Sequence, residues 1–176
     1  STHDEMHAWF SGIEEIENAS IEQIELVFKR EFKNNWNVIL DECRKRRPGA
    51  GAMEMISMGM NISNFEGQTL NLAKRLSAAN INTWLYRFDW GSFEGVFGAC
   101  HCIELPFIFD TAVEWDPPML LGGKVKEIAG LSGSIQKTWG AFVRGGNPNH
   151  SDIPNWPRIE ENNFYKLCWN NSIEVI

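Results

Sequence analysis

The segment GACHCIELPFIFD, Gly98 to Asp110, decides the fold. It carries one histidine, His101, ahead of the apolar run Leu105-Pro106-Phe107-Ile108-Phe109. Just upstream, Thr83-Trp84-Leu85-Tyr86-Arg87-Phe88-Asp89-Trp90 is rich in aromatic and β-branched residues and reads as a strand. A glycine-bearing loop, Gly91 to Gly98, links that strand to the histidine segment.

Farther downstream, Leu131 to Val143 carries apolar residues at helical spacing and stops at Gly145-Gly146-Asn147-Pro148, a strong helix-ending signal. Short strands at about Tyr165 to Trp169 and Ile173 to Ile176 follow. Upstream of the first strand, helices dominate. Ser20, with Gln23 three residues on, reads as an N-cap with its capping-box partner before the stripe Ile21, Ile24, Val27, Phe28 and Phe32. A second helix covers Trp36 to Arg47 and ends at Pro48-Gly49. Its last turn, Arg44-Lys45-Arg46-Arg47, places cations against exposed helix carbonyls, which is a structural use of charge. Met53 to Met60 reads as a short helix whose methionines (Met53, Met55, Met58, Met60) fill the core, and Glu66 to Ala79 as another, ending at Asn80. Two or three strands do not make a self-sufficient sheet covered on both faces, so the chain is expected to be part of a larger α/β domain.

Composition narrows the function. The chain has 176 residues, a formal net charge of -7 and 43% hydrophobic residues, enough for one core and unsuited to neutralising phosphates, so nucleic acid is not an expected partner. Eight tryptophans and eleven phenylalanines supply burial and can also line pockets for apolar ligands. The four cysteines (Cys43, Cys100, Cys102, Cys168) form no C-x-x-C pair and read as free thiols of a reducing, cytoplasmic compartment. There is no run of about eighteen apolar residues, so no membrane partner is expected. No glycine-rich phosphate loop, dinucleotide fingerprint or internal repeat occurs, and no cofactor is expected.

The opening STHDEMHAWF admits three readings. His3 and His7 have the i, i+4 spacing of a helical zinc pair, with Asp4 where a metalloprotease has its glutamate, but His101 and His150 are the only further histidines. The stretch also reads as a polar loop leading into a helix. The third reading comes from a resemblance.

NTWLYRFDW (Asn82 to Trp90), GACHCIELPFIFD, and SIQKTWGAFVRGGNPN with NWP (Ser134 to Asn149, Asn155 to Pro157) occur in that order. Together they resemble the C-terminal part of the type-B carboxylesterase and cholinesterase-like family of α/β-hydrolases, above all its bacterial p-nitrobenzyl-esterase branch. That family's loop G-x-x-H-x-x-E-L-P-F-x-F-G carries the catalytic histidine. By resemblance this is His101, with Glu104, Leu105, Pro106 and Phe107 in register. THDEMHAWF resembles the family's acid motif x-x-D-E-G-x-x-F-F, which makes Glu5 the triad acid, in the chain order acid then histidine. Met6 stands where the family has glycine, Cys102 where small residues are usual, and Asp110 where a glycine closes the loop.

The resemblance implies an α/β fold in which residues 1–81 hold the acid-bearing turn and a helical insert. Residues 82–176 then hold the final sheet strands, the histidine loop and the C-terminal helix. It implies that Glu104 lies behind the histidine and holds its loop. Trp9 is either a wall of the substrate pocket or core packing, and the aromatic loop Phe93 to Phe97 flanks the pocket entrance. The family's nucleophile motif G-E-S-A-G is absent, since Gly130-Leu131-Ser132-Gly133-Ser134 lacks the last glycine. The expectation is therefore a C-terminal fragment of a serine esterase for small ester substrates, inactive without the N-terminal part that carries the serine. The alternatives are a non-catalytic esterase-like binding module and the zinc site at His3 and His7.

Overall fold

Strand β1, Leu85–Phe88, pairs in parallel with β2, Lys166–Trp169, and β2 pairs antiparallel with β3, Ile173–Val175. The computed structural model describes residues 1–92, 94, 96–112, 118–160 and 163–176. Leu85 lies opposite Lys166 and Phe88 opposite Trp169. The strand is shorter than the sequence predicts because the Trp169 carbonyl accepts both the Asp89 N–H at 2.8 Å and the Trp90 N–H at 2.9 Å, which ends the ladder. On the other edge of β1, Thr2 forms a parallel bridge to Phe88; His3 N–H donates to the Phe88 carbonyl at 2.8 Å and Phe88 N–H to that of Ser1 at 2.9 Å. The opening residues thus run beside β1, and both segments leave the sheet at carboxyl ends of parallel strands, where open α/β sheets bind ligands.

Successive strand residues face opposite sides, and the two sides of β1 meet different helices. Leu85 joins Ala73 of α6 (Gly67–Ala78) and Ile159 in a small apolar cluster. Tyr86 and Phe88 face the main core, where Tyr86 meets Trp139 of α8 (Val125–Gly145) edge-on and Phe88 meets Phe107. Helix α8 begins well before the predicted Leu131, since Gly130 blurs a stripe that Ile128, Leu131 and Ile135 continue. It stops where predicted, at Gly146, whose left-handed φ of 69° brings its N–H to the Phe142 carbonyl at 2.7 Å.

The helical region forms its own core. Helices α3 (Ile21–Phe32), α4 (Trp36–Arg46) and α5 (Ala52–Asn61) bury Phe28, Phe32, Leu40, Cys43, Met55 and Ile56 together. Full burial of Phe28 contributes roughly 2–3 kcal/mol. The capping box is present, with Gln23 N–H donating to Ser20 Oγ at 3.3 Å and Ser20 N–H to Gln23 Oε1 at 2.7 Å. The predicted Met53–Met60 and Glu66–Ala79 helices are one rod, joined by a π turn at Ile62–Glu66. Three further helices, α1 (His7–Phe10), α2 (Glu14–Glu17) and α7 (Leu105–Ile108), are single turns too short to leave a periodic signal. Among the described residues no helix is long and apolar enough to cross a membrane.

Candidate active site

Glu5 and His101 stand at the ends of the two segments that leave the sheet together. Glu5 Oε1 contacts His101 Nδ1, while Glu5 Oε2 receives the Thr2 N–H at 3.0 Å and the Thr2 hydroxyl. Glu5 is buried, and burial alone would raise its carboxyl; hydrogen bonds from Thr2 and His101 outweigh that cost and hold it below its ordinary value. An ionised carboxylate only accepts, so Nδ1 is the donor in this contact and Nε2 is the ring nitrogen that stays outside it. The His101 side chain as a whole is 43% exposed.

The family departures have local explanations. Met6 has φ -92°, so this turn needs no glycine. Cys102 and Asp110 take left-handed φ of 65° and 56°, the conformation glycine supplies elsewhere, and aspartate is one of the few other residues that visits it readily.

The structure brings Trp9 and Glu104 near the pair in different ways. The Trp9 ring lies 4.8 Å from the His101 ring at 59° and is 51% exposed, outside the apolar cores. Glu104 caps the start of α7 with its backbone: its carbonyl accepts the Phe107 and Ile108 N–H groups at 3.1 and 3.0 Å. Its side-chain Oε2 is buried without a partner among the described residues, and burial pushes that carboxyl upward. Of the aromatic loop, Phe93 lies outside the described residues. Cavities of about 750 and 440 Å³ lie along Lys74 to Asn82 and between β1 and α8, and neither is lined by Glu5 or His101.

His3 and His7 do not share a helical face, because His3 lies in the turn that follows the Thr2 bridge, its N–H bonded to Phe88 of β1, and His7 begins α1. The His3 Nδ1 faces Asp4 Oδ1 and Arg47 Nη2, each at 3.1 Å, and His7 is buried with neither ring nitrogen hydrogen-bonded to any of the described residues. Among the described residues no three His, Cys, Asp or Glu side chains converge as a metal-ligand set.

Sequence reasoning gave Thr2 no role, and it named Asp4 and Arg47 without their contact to each other. Thr2 had a signal, since T-x-x-E from Thr2 to Glu5 spells a capping-box spacing. Arg47 had none, because nothing local announces a partner 43 positions away.

A model of the carboxylesterase family matches residues 11–174. The chain belongs to the carboxylesterase family. The matched range includes His101 and Glu104 and begins after Glu5 and Trp9. The chain is 39% identical over 75 residues to phenmedipham hydrolase of Pseudarthrobacter oxydans, covering 41% of this chain and 15% of that protein. It is 32% identical over 93 residues to para-nitrobenzyl esterase of Bacillus subtilis, covering 52% and 19%. Its fold matches a Geobacillus stearothermophilus carboxylesterase with a TM-score of 0.84 at 20% identity, over 99% of this chain and 36% of that one. A thermophilic p-nitrobenzyl esterase gives 0.77 at 24% identity, over 99% and 34%. The architecture is thus part of an α/β-hydrolase fold, and the chain spans about a third of these solved carboxylesterases.

Proposed function

We propose that this chain supplies the acid, Glu5, and the general base, His101, of a Ser-Glu-His triad that hydrolyses small carboxylic esters. The single observation that carries the reading is the contact between the Glu5 carboxylate and His101 Nδ1. The serine and the oxyanion donors come from a further, upstream part of the protein, since no G-x-S-x-G motif occurs in these 176 residues.

His101 Nε2 takes the proton of the serine hydroxyl as its oxygen attacks the ester carbonyl, and returns it to the leaving alcohol. Water then attacks the acyl-enzyme by the same route and releases the acid. Glu5 keeps the imidazole in the Nδ1–H tautomer and stabilises the imidazolium. Backbone N–H donors at the tetrahedral oxyanion supply the remaining stabilisation. Trp9, exposed beside the imidazole, forms a wall of the substrate pocket, and Glu104 supports the histidine loop from behind. Four free cysteines fit a reducing, cytoplasmic setting.

The test is p-nitrophenyl acetate hydrolysis by this chain alone and with the upstream part, together with organophosphonate labelling of the whole protein. Turnover that requires both parts and disappears in His101→Ala is expected. Turnover by this chain alone overturns the assignment of the serine. An unlabelled whole protein makes the chain part of a non-catalytic binding relative.

A further inference from the structure

Glu5 and His101 can cooperate only if two segments far apart in sequence are held to within a fraction of an ångström. Asp4, one residue before Glu5, makes two bonds to Ala99, two residues before His101. Its N–H donates to the Ala99 carbonyl at 2.9 Å, and its Oδ2 accepts the Ala99 N–H at 3.0 Å. With adjacent Cα atoms 3.8 Å apart, little slack separates these bonds from either working side chain. The other oxygen, Oδ1, receives Arg47 Nη2 from the end of α4, and Arg47 Nη1 lies 3.5 Å from Glu54 Oε1 of α5. Asn61, 2% exposed at the end of α5, donates its Nδ2 to the His3 carbonyl at 2.8 Å. Gly98 closes the arrangement: its φ is +57°, and a Cβ there would stand 2.6 Å from Asp4 Oδ2.

We propose that Asp4 and Arg47 are positioning residues for the Glu5–His101 pair, Asp4 by tying the acid turn to the histidine loop and Arg47 by anchoring Asp4 to the helical insert. This rests on the triad reading above and assigns the insert a task in catalysis besides covering the sheet. Burial alone would raise the Asp4 carboxyl; His3, Arg47 and the Ala99 N–H outweigh it and hold the group well below the ordinary carboxylate range, so the tie carries its charge at neutral pH. Arginine suits the anchoring position because its rigid fork fixes direction as well as charge.

The experiment uses the whole enzyme containing this chain. Steady-state hydrolysis of p-nitrophenyl acetate and the low-field proton resonance of His101 Nδ1–H are measured in Asp4→Asn, Arg47→Met and Arg47→Lys, with thermal melts to confirm folding. A displacement near 1 Å in a catalytic group costs on the order of a hundredfold, so kcat should fall by about ten- to a hundredfold in Asp4→Asn and Arg47→Met. KM should stay unchanged, the low-field resonance should broaden, and Arg47→Lys, which keeps the charge toward Asp4 but not the fork, should recover part of the lost kcat. Folded variants with unchanged kcat and an unchanged resonance overturn the proposal. If Asp4→Asn does not fold, equal kcat in Arg47→Met and Arg47→Lys overturns it. Full activity in Glu5→Gln and His101→Ala would instead defeat the triad reading, and the resonance, which reports geometry and not turnover, would still test the tie.

Discussion

Glu5 and His101 are 96 positions apart in the chain and in hydrogen-bond contact in the fold. The contact uses one carboxylate oxygen and leaves the other to Thr2, so both ends of the acid are fixed. Glu5→Gln keeps the shape and removes the charge that selects the Nδ1–H tautomer. In the whole enzyme, kcat for p-nitrophenyl acetate should fall by on the order of 10⁴-fold, as when a triad acid becomes its amide. A loss below about tenfold would remove Glu5 from that role.

The acids around the site respond to pH in opposite senses. Asp4 and Glu5 have folded-state values below their unfolded ones, near 3.9 and 4.3, so their stabilisation is present above those values and lost as pH falls through the folded ones. Glu104 is raised by burial, so its contribution is present below about 4.3 and lost as pH rises through its folded value. Glu104→Gln should therefore raise the melting temperature at pH 7, with the gain shrinking toward pH 4. Thermal melts at both pH values check the sign, and a gain that grows on acidification would contradict it.

Two helical glycines should answer replacement by alanine with opposite signs. At Gly59 a Cβ would lie 2.7 Å from Phe28 Cζ and 3.0 Å from Phe32 Cε2, inside the packed insert. Overpacking there costs about 1–3 kcal/mol, more than the roughly 1 kcal/mol that helix propensity returns. At Gly130 in α8 a Cβ meets nothing within 4 Å. Gly130→Ala should stabilise by up to about 1 kcal/mol and Gly59→Ala should destabilise, as read from denaturant midpoints.

The ladder of structure that the residues announce is the local one. Ser20 with Gln23, the α3 stripe from Ile24 to Phe32 and the Gly145-Gly146 stop are written within a few positions of where they act and stand as expected, whereas Ile21, read as the first residue of that stripe, faces solvent. The Glu5–His101 pair was legible only through a family pattern, since no local rule joins two loops so distant. The π turn at Ile62–Glu66 was invisible because a one-residue widening hardly disturbs an apolar stripe. Arg47 looked like a helix-end cation and is one, but its position at the end of α4 also delivers it to Asp4. The opening histidines drew attention by spacing alone, and their spacing lost its meaning once His3 lay in a turn outside α1.

Thiol chemistry offers an independent check on the packing. Cys43, Cys100 and Cys168 are buried, with burial pushing each thiol up to about 11, whereas Cys102 is partly exposed beside His101. The native protein at pH 7 should react with a disulfide reagent at Cys102 of this chain alone, and at all four cysteines once unfolded. Fast labelling of Cys43 or Cys168 in the native state would contradict the described cores.

The π turn carries one more consequence. Asn61, just before it, grips His3, while Leu70 and Ala73, beyond it, pack toward Leu85. Removing a single residue from Ile62–Glu66 would restore ordinary helical bonding and rotate everything beyond by about 100°. The rod would survive, yet either Asn61 would lose the opening turn or α6 would lose the sheet. Related chains should therefore exchange residues freely along this stretch while almost never gaining or losing one.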